Sequence, residues 1–325
     1  MIYSIIISII ISLLISLNTN YLGNKTGLVD KPFTNKIHST NVPLMGGPII
    51  FIVIFIFLIT NYRDFNLYSY QFLFLSFFFL LGLIDDKINL NSNYKILLVI
   101  LFSLIMINFD ESFLIHKIYF EILDSEYYFG KFKIPITVLC ILLLYIAMNM
   151  SDGINCLLIS FSIISLIVIN YFIFGFSLNI LDLSILISLI IIFYFNYKNK
   201  TFLGNSGASL LAAYFIYKLI NVNYFNQIDV FKVISIFLIM GVDMVRLVIL
   251  RLINKNNPFA RDLNHFHHLL LKKMNLISTI ALYLILSFFP ILISEIFNFS
   301  ILFLISISLM IYFYMIKKLS FADDK

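Results

Sequence analysis

Five short stretches of an otherwise apolar chain hold nearly all the residues that could do chemistry. In the first, Asp85 and Asp86 end an apolar run and Lys95 follows. A helix C-terminus disfavours negative charge, and adjacent carboxylates repel unless a cation or a shared proton intervenes. Mg²⁺ suits such oxygen ligands and is often held by one or two carboxylates plus substrate phosphates. A solvated loop with an incidental acidic pair is the plainer alternative. A second stretch, Asn149-Met-Ser-Asp152-Gly153-Ile-Asn155-Cys156, barely separates two apolar runs. Its three oxygen-bearing side chains could reach one small site, with Gly153 permitting a sharp reversal; a polar turn whose residues cap helices is the alternative. A third, Asp30-Lys31-Pro32 through Lys36 and His38 to Gly46-Gly47, offers positive charge to an anion and a tight helix entry, or is simply a basic juxtamembrane loop. In a fourth, Gly204-Asn205-Ser206-Gly207 could present backbone N–H groups to a phosphate at a helix start. The fifth carries Asp243, Arg246, Arg251, Arg261, His265, His267 and His268. His265 and His268 could share a helical face. Zinc and simple anion binding are both open readings of this group.

The surrounding composition says where such chemistry must happen. Of 325 residues, 61% are hydrophobic and 12% charged, and mean hydropathy is +1.01. A soluble domain carries about 25% charge. This composition excludes a soluble enzyme, a disordered chain and a secreted disulfide scaffold. Cys140 and Cys156 lie in apolar runs and form no metal-ligand motif. A net charge of +5 is too small to suggest nucleic acid. The expected fold is an all-α polytopic membrane protein, a single integral membrane domain over residues 1–325.

About eleven transmembrane helices are expected, near 2–22, 43–61, 68–84, 95–109, 133–149, 155–175, 178–196, 203–220, 230–250, 276–296 and 299–316. The first lacks a basic leader and a small-residue cleavage site, so it reads as a retained helix. Sixteen of the 22 lysines and arginines fall in the loops after spans 1, 3, 5, 7 and 9 and in the C-terminal tail. The positive-inside rule makes that side cytoplasmic. All five polar stretches lie there, and charge placed against a membrane tends to be functional. In the long outer loop, 110–132, partial alternation around Leu114–Ile134 suggests a short β-hairpin turning at Asp124-Ser125-Glu126.

In order and spacing the five stretches resemble the polyprenyl-phosphate N-acetylhexosamine-1-phosphate transferase family, over roughly residues 20–275. The His-x-His-His form after Asn-Pro-Phe looks more like its N-acetylglucosamine branch than its MurNAc-pentapeptide branch. The resemblance implies transfer of N-acetylhexosamine-1-phosphate from a UDP-N-acetylhexosamine to undecaprenyl or another polyprenyl phosphate. UMP is released, and cell-surface glycan synthesis for the cell wall or lipopolysaccharide begins. It implies an enzyme of the inner (plasma) membrane using Mg²⁺, or Mn²⁺, with its active site on the cytoplasmic face and a homodimer as one assembly. Asp85 and Asp86 match the family's aspartate pair, which serves the lipid phosphate or the metal, and Asp85 is the expected base. Asn149 and Asp152 match a motif near the metal and diphosphate. Asn155 matches a position near the uridine, Phe202 an aromatic that stacks on uracil, and Lys95 a lysine near the diphosphate. Lys36 and His38 join the substrate-binding set. Arg261 falls in a loop that closes on the sugar, and His265, His267 and His268 match the histidine motif. Metal ligands are expected at Asp85, Asn149 and Asn205. This chain departs from the family at several positions. Asn205 replaces a usual ligand Asp, Asn89 stands where a third aspartate often follows, Cys156 replaces a glycine, Ala208 a serine, and Leu263 an arginine. Phospho-MurNAc-pentapeptide transfer, a catalytically impaired member and a secondary transporter are the competing readings.

Overall fold

The computed structural model describes residues 2–31, 41–61, 65–175, 178–225, 227–259 and 262–320. Helices occupy all eleven apolar segments, and the described residues cluster into two compact units.

The first unit comprises residues 1–110 and 155–218. It contains α1 (Ile2–Leu17), α2 (Thr19–Thr26), α3 (Gly46–Thr60), α4 (Phe65–Ile88), α5 (Ser92–Phe109), α7 (Leu157–Val168), which runs on into a π-helical turn at Ile169–Ile173, α8 (Ile180–Tyr197) and the first part of α9 (Gly204–Phe225). Helices α1, α3 and α8 pack on one another. The contact face of α1 is a column of serines, Ser4, Ser8, Ser12 and Ser16, all buried, with the Ser12 hydroxyl 3.0 Å from that of Ser188 on α8. A four-residue repeat of small side chains lets helix backbones approach closely. Helix α4 packs on α3 through Phe51 and Phe79, whose rings stack at 4.1 Å, and on α5 through Phe77 and Phe102 at 3.7 Å. Helix α9 is buried on every side from Ser206 to Ile216, as expected of a helix that is apolar all round. Two short strands, β1 (Val29–Asp30) and β2 (Val42–Pro43), pair antiparallel.

The second unit comprises residues 111–154 and 219–325. Helix α10 (Val230–Ile253) packs on α6 (Lys133–Ser151), α12 (Leu276–Phe297) and α13 (Ile301–Ser320), and the short α11 (Phe266–Leu271) lies against α12 and α13. Its largest fully buried side chains include Phe266, Tyr283 and Tyr312. Strands β3 (Lys117–Phe120) and β4 (Ser125–Tyr128) pair antiparallel with Lys117 opposite Tyr128. The turn between them falls at Glu121–Asp124, two to three residues before the expected Asp124-Ser125-Glu126. Asp124 takes the left-handed conformation (φ 42°) that Asp tolerates, and Glu126 stays in the strand, bonded to Lys117, Tyr128 and Gln227.

Among the described residues, six helices are long and apolar enough to cross a membrane. They are Ser92–Phe109, Gly130–Ser151, Ile180–Tyr197, Val230–Ile253, Leu276–Phe297 and Ile301–Leu319. The first expected span, 2–22, is interrupted: α1 and α2 meet at 76°. Asn18 leaves the helical region there, and its side-chain amide donates to the Leu14 carbonyl at 2.8 Å. Helices Gly46–Thr60 and Leu157–Ile173 are apolar but shorter.

Candidate active site

In the first unit the aspartate pair and the Gly-Asn-Ser-Gly stretch come together. Asp86, near the end of α4, accepts the backbone N–H groups of Asn205 (2.7 Å) and Ser206 (3.0 Å), one on each carboxylate oxygen. It therefore caps the N-terminus of α9 from another helix. The glycines show how tightly these backbones meet. A Cβ on Gly82 would sit 2.4 Å from the Asn205 carbonyl oxygen, one on Gly204 2.9 Å from Asp86 Oδ2, and one on Gly47 2.4 Å from the Ser206 hydroxyl. The expectation that the start of α9 offers its N–H groups to a phosphate does not hold for these two donors, because a carboxylate already takes them. Burial pushes the Asp86 carboxyl above its ordinary range, against the opposing pull of the Ser206 and Asn205 N–H groups.

Asp85 has different partners. Its Oδ1 accepts the Leu90 N–H at 2.8 Å and its Oδ2 the Lys95 ammonium at 2.9 Å. The pair closes the turn from α4 to α5, with Lys95 reaching back from α5 to Asp85. Each carboxylate oxygen has a second acceptor position, so these bonds still leave the pair able to meet a cation.

Asn155, Asn199, Asn196 and Phe202 occupy neighbouring turns of the same unit. Asn155 Nδ2 donates to Asn199 Oδ1 at 2.5 Å, and Asn196 Oδ1 accepts the Cys156 N–H at 2.7 Å. The Phe202 N–H donates to Pro43 O (2.8 Å) and its carbonyl accepts from Gly46 (3.0 Å), joining the third and fourth stretches. Thr201 adds a hydroxyl bond to Pro43 O at 3.1 Å.

In the second unit the Asn-x-x-Asp-Gly turn meets the histidines. A Cβ on Gly153 would lie 2.3 Å from His267 Nε2 and 2.7 Å from His268 Nε2. Glycine is needed there for this close approach rather than for a reversal of the chain. The left-handed residue of the stretch is Cys156 (φ 64°). Asn149 Nδ2 donates to the Tyr145 carbonyl at 2.8 Å, and Ser151 lies 3.5 Å from the buried Tyr283 hydroxyl. His265 does not share a helical face with His268. It is the N-cap of α11 in extended conformation (φ −61°, ψ 146°), and its ring stacks on His267 at 5.3 Å. Burial lowers the pKa of His267, and that of His268 to about 4, so both rings are neutral at pH 7.

A buried carboxylate that the sequence did not single out as a site residue organises this group. Asp243, on α10, accepts from Arg246, from the Tyr312 hydroxyl (2.7 Å) and from the Phe266 N–H, and its Oδ2 lies 3.1 Å from His265 Nδ1. Asp243, His265 and His267 bring ligand atoms within 4.8 Å of one another. Both Asp243 oxygens, however, already hold protein donors, one of them the Arg246 guanidinium at 2.8 Å. A carboxylate neutralised by arginine is a poor partner for zinc, so the arrangement is that of an orienting anion. The spacing Asp243-x-x-Arg246 signals the ion pair along a helix, but nothing in the sequence connects Tyr312 to it. Lys36, His38 and Arg261 lie outside the described residues.

Asp85, Asp86 and Asn205, which come together in the first unit, carry oxygen donors, the ligand type that a hard divalent cation takes.

The chain's similarities follow the same motifs. The sequence signature of glycosyl transferase family 4 matches residues 68–223. Over 254 residues the chain is 30% identical to the undecaprenyl-phosphate alpha-N-acetylglucosaminyl 1-phosphate transferase of Thermotoga maritima, spanning 77% of this chain and 75% of that protein. The probable undecaprenyl-phosphate N-acetylglucosaminyl 1-phosphate transferase of Bacillus subtilis is 29% identical over 259 residues, 76% and 70% of the two chains. The Escherichia coli K12 undecaprenyl-phosphate alpha-N-acetylglucosaminyl 1-phosphate transferase is 26% identical over 265 residues, 77% and 71%. The family match takes in the aspartate pair and the Asn-x-x-Asp-Gly turn, and with a relative 30% identical over three quarters of its length, the chain belongs to glycosyl transferase family 4.

Proposed function

We propose that this protein transfers N-acetylhexosamine-1-phosphate, most simply N-acetylglucosamine-1-phosphate, from a UDP-sugar to undecaprenyl or another polyprenyl phosphate, releasing UMP. The relatives' shared activity supports the reaction class. The observation that carries it to these residues is the grouping within each unit. Stretches far apart in sequence meet at helix ends, Asp85–Asp86 with Asn205–Ser206 and Gly153 with His267–His268.

The chemistry joins two anions, so charge neutralisation and in-line positioning matter more than covalent catalysis. A phosphate monoester has a second pKa near 6, so the lipid phosphate is mostly dianionic at pH 7. The base therefore has little to remove, and Asp85 serves as that base while it also receives Lys95. Lys95, Arg261, Lys36 and His38 offset the diphosphate charge. Asn155 and Phe202 hold the uridine end, Asp152 lies by the diphosphate, and His265, His267 and His268 act at the sugar phosphate. Asp85, Asn149 and Asn205 would hold Mg²⁺ or Mn²⁺, which when bound supplies positive charge to the diphosphate oxygens.

The same reading extends to the whole chain. One membrane domain with about eleven crossings, counting the bent first segment, the two shorter helices, α4 and α9 beside the six long apolar helices, would put the reacting groups on the cytoplasmic face of the inner membrane. A homodimer is the proposed assembly.

The test is UMP release from UDP-N-acetylglucosamine and related UDP-N-acetylhexosamines with undecaprenyl phosphate in detergent, with and without Mg²⁺. Mg²⁺-dependent release is expected, and no turnover with any donor rejects the reading. Asn205 motivates the second reading, an impaired member, because an amide brings no charge to a metal. Asn205→Asp should lower the half-saturating Mg²⁺ concentration by about tenfold, since ligand charge tunes affinity. If Mg²⁺ dependence is unaltered, Asn205 is not a ligand.

A further inference from the structure

The histidine cluster contains an asymmetry that the motif itself does not explain. His265 and His267 stack nearly parallel, 15° apart, yet only His265 has a charged partner on its ring nitrogen. His267 Nε2 has no hydrogen-bond partner and presses against Gly153. His265 Nδ1 lies 3.1 Å from Asp243 Oδ2.

Asp243 is itself held rigidly. It is 3% exposed on α10. Its Oδ1 accepts Arg246 Nε (3.2 Å) and a second Arg246 nitrogen (2.8 Å), and the Tyr312 hydroxyl from α13 at 2.7 Å. The Phe266 N–H at the start of α11 reaches both oxygens, at 3.3 and 3.2 Å. Arg246 also donates to the Asn264 carbonyl at 2.7 Å, tying down the residue before His265. Three helices thus converge on one carboxylate. Arginine, tyrosine and the Phe266 N–H already satisfy its charge and would join α10, α11 and α13 without any histidine. Oδ2 is nevertheless turned to the imidazole.

We propose that Asp243 is the positioning residue for His265, fixing the ring in its Nδ1–H tautomer and leaving Nε2 as the acceptor that meets the substrate. A carboxylate only accepts, so the Nδ1 that faces it carries the proton. The tautomer follows, since a neutral imidazole has one donor and one acceptor nitrogen. Arg246 and Tyr312 hold the carboxylate aligned, so the ring is oriented before any substrate arrives. The consequence for the reaction rests on the transferase reading of His265, whereas the tautomer does not.

Two measurements test this. The first is the ¹⁵N spectrum of the histidine-labelled wild-type protein, with the His265 signals identified by their loss in His265→Gln. The Nδ1–H tautomer is expected, and an Nε2–H tautomer overturns the proposal. This needs no altered Asp243, so a variant that fails to fold does not blunt it. The second is a double-mutant cycle with Asp243→Asn and His265→Gln. An asparagine can turn its NH₂ toward the ring and invert the tautomer. The single change should lower kcat by about 100-fold or more, the scale of general acid–base assistance, while donor KM changes by less than about threefold. The double variant should be no slower than His265→Gln alone. Additive losses would mean that Asp243 acts on the fold rather than through His265. If the wild type turns over no UDP-N-acetylhexosamine, the transferase reading fails while the tautomer result still stands or falls by itself.

Discussion

At the scale of single residues, Asp86 does two things that can be separated. It caps α9 through the N–H groups of Asn205 and Ser206, and it belongs to the acidic pair proposed for catalysis. Asp86→Asn keeps one carbonyl acceptor for a backbone donor but removes the charge. Its thermal midpoint should fall little, since a cap is worth about 1 kcal/mol, while UMP release drops at least tenfold, as a charge assisting the reaction would require. A rate loss no larger than the stability loss would leave Asp86 as a cap alone. The histidines predict a pH dependence. His268 titrates near 4 in the folded protein against an ordinary 6.5, because it is buried. Between those values the unfolded chain takes up a proton that the folded protein refuses, so stability is full above pH 6.5 and declines as pH falls toward 4. His267 adds to the loss in the same direction. Its neighbours His265, Asp243, Asp262 and Lys272 remain the same in His268→Gln, which should flatten part of the decline in unfolding scans from pH 7 to 4. An unchanged slope would assign the acid sensitivity elsewhere. Which residue types could do chemistry was legible at this scale. That Gly153 is required by two imidazoles, or Gly47 by Ser206, was not, because a clearance of 2.3 to 2.4 Å exists only once distant segments meet.

At the scale of elements, the helices hold polar side chains that the hydropathy pattern does not show. Lys218 on α9 donates to Asp182 on α8 and, at 2.8 Å, to Asn170 in the π-helical turn after α7, and the Tyr214 hydroxyl donates to the same aspartate. Lys218 is 9% exposed and Asp182 fully buried. A buried pair adds little net stability, but removing one partner strands the other charge and costs about 3–5 kcal/mol. Lys218→Met should therefore lower stability by about that amount in detergent unfolding experiments. Lys218→Met combined with Asp182→Leu should recover most of it. No recovery would mean that the cluster matters for its shape rather than its charge. The serine column of α1 makes the complementary point. Its four-residue spacing is visible in the sequence, yet in a chain rich in apolar helices the spacing alone does not say which partner it meets. Contact with Ser188 on α8 identifies it as a close helix crossing.

At the scale of the whole molecule, the number of membrane crossings and the side on which each end lies form one prediction. Eleven crossings would put the two termini on opposite sides of the membrane, and the lysine and arginine bias then predicts a cytoplasmic C-terminus and cytoplasmic polar stretches. Reporter fusions at each terminus, one active only inside the cell and one only outside, should report an external N-terminus and an internal C-terminus. Both ends on one side would require an even count, and with it a different role for one of the shorter helices, Gly46–Thr60 or Leu157–Ile173.

Composition by itself made this a membrane protein, since 12% charge cannot clothe a soluble core. Spacing by itself located the five polar stretches, because apolar runs of helical length leave few other places for Asp, Asn and His. The tertiary structure alone decided how those side chains are used. It gave Asp86 to the start of α9, Asp85 to Lys95, and Asp243 to His265. It also placed Cys156, rather than Gly153, in the left-handed conformation. The physical reason is common to all of these. Hydrophobic periodicity reports only which face of a segment leaves water, whereas a hydrogen bond or a steric clearance depends on positions set to within an ångström by chain tens of residues away.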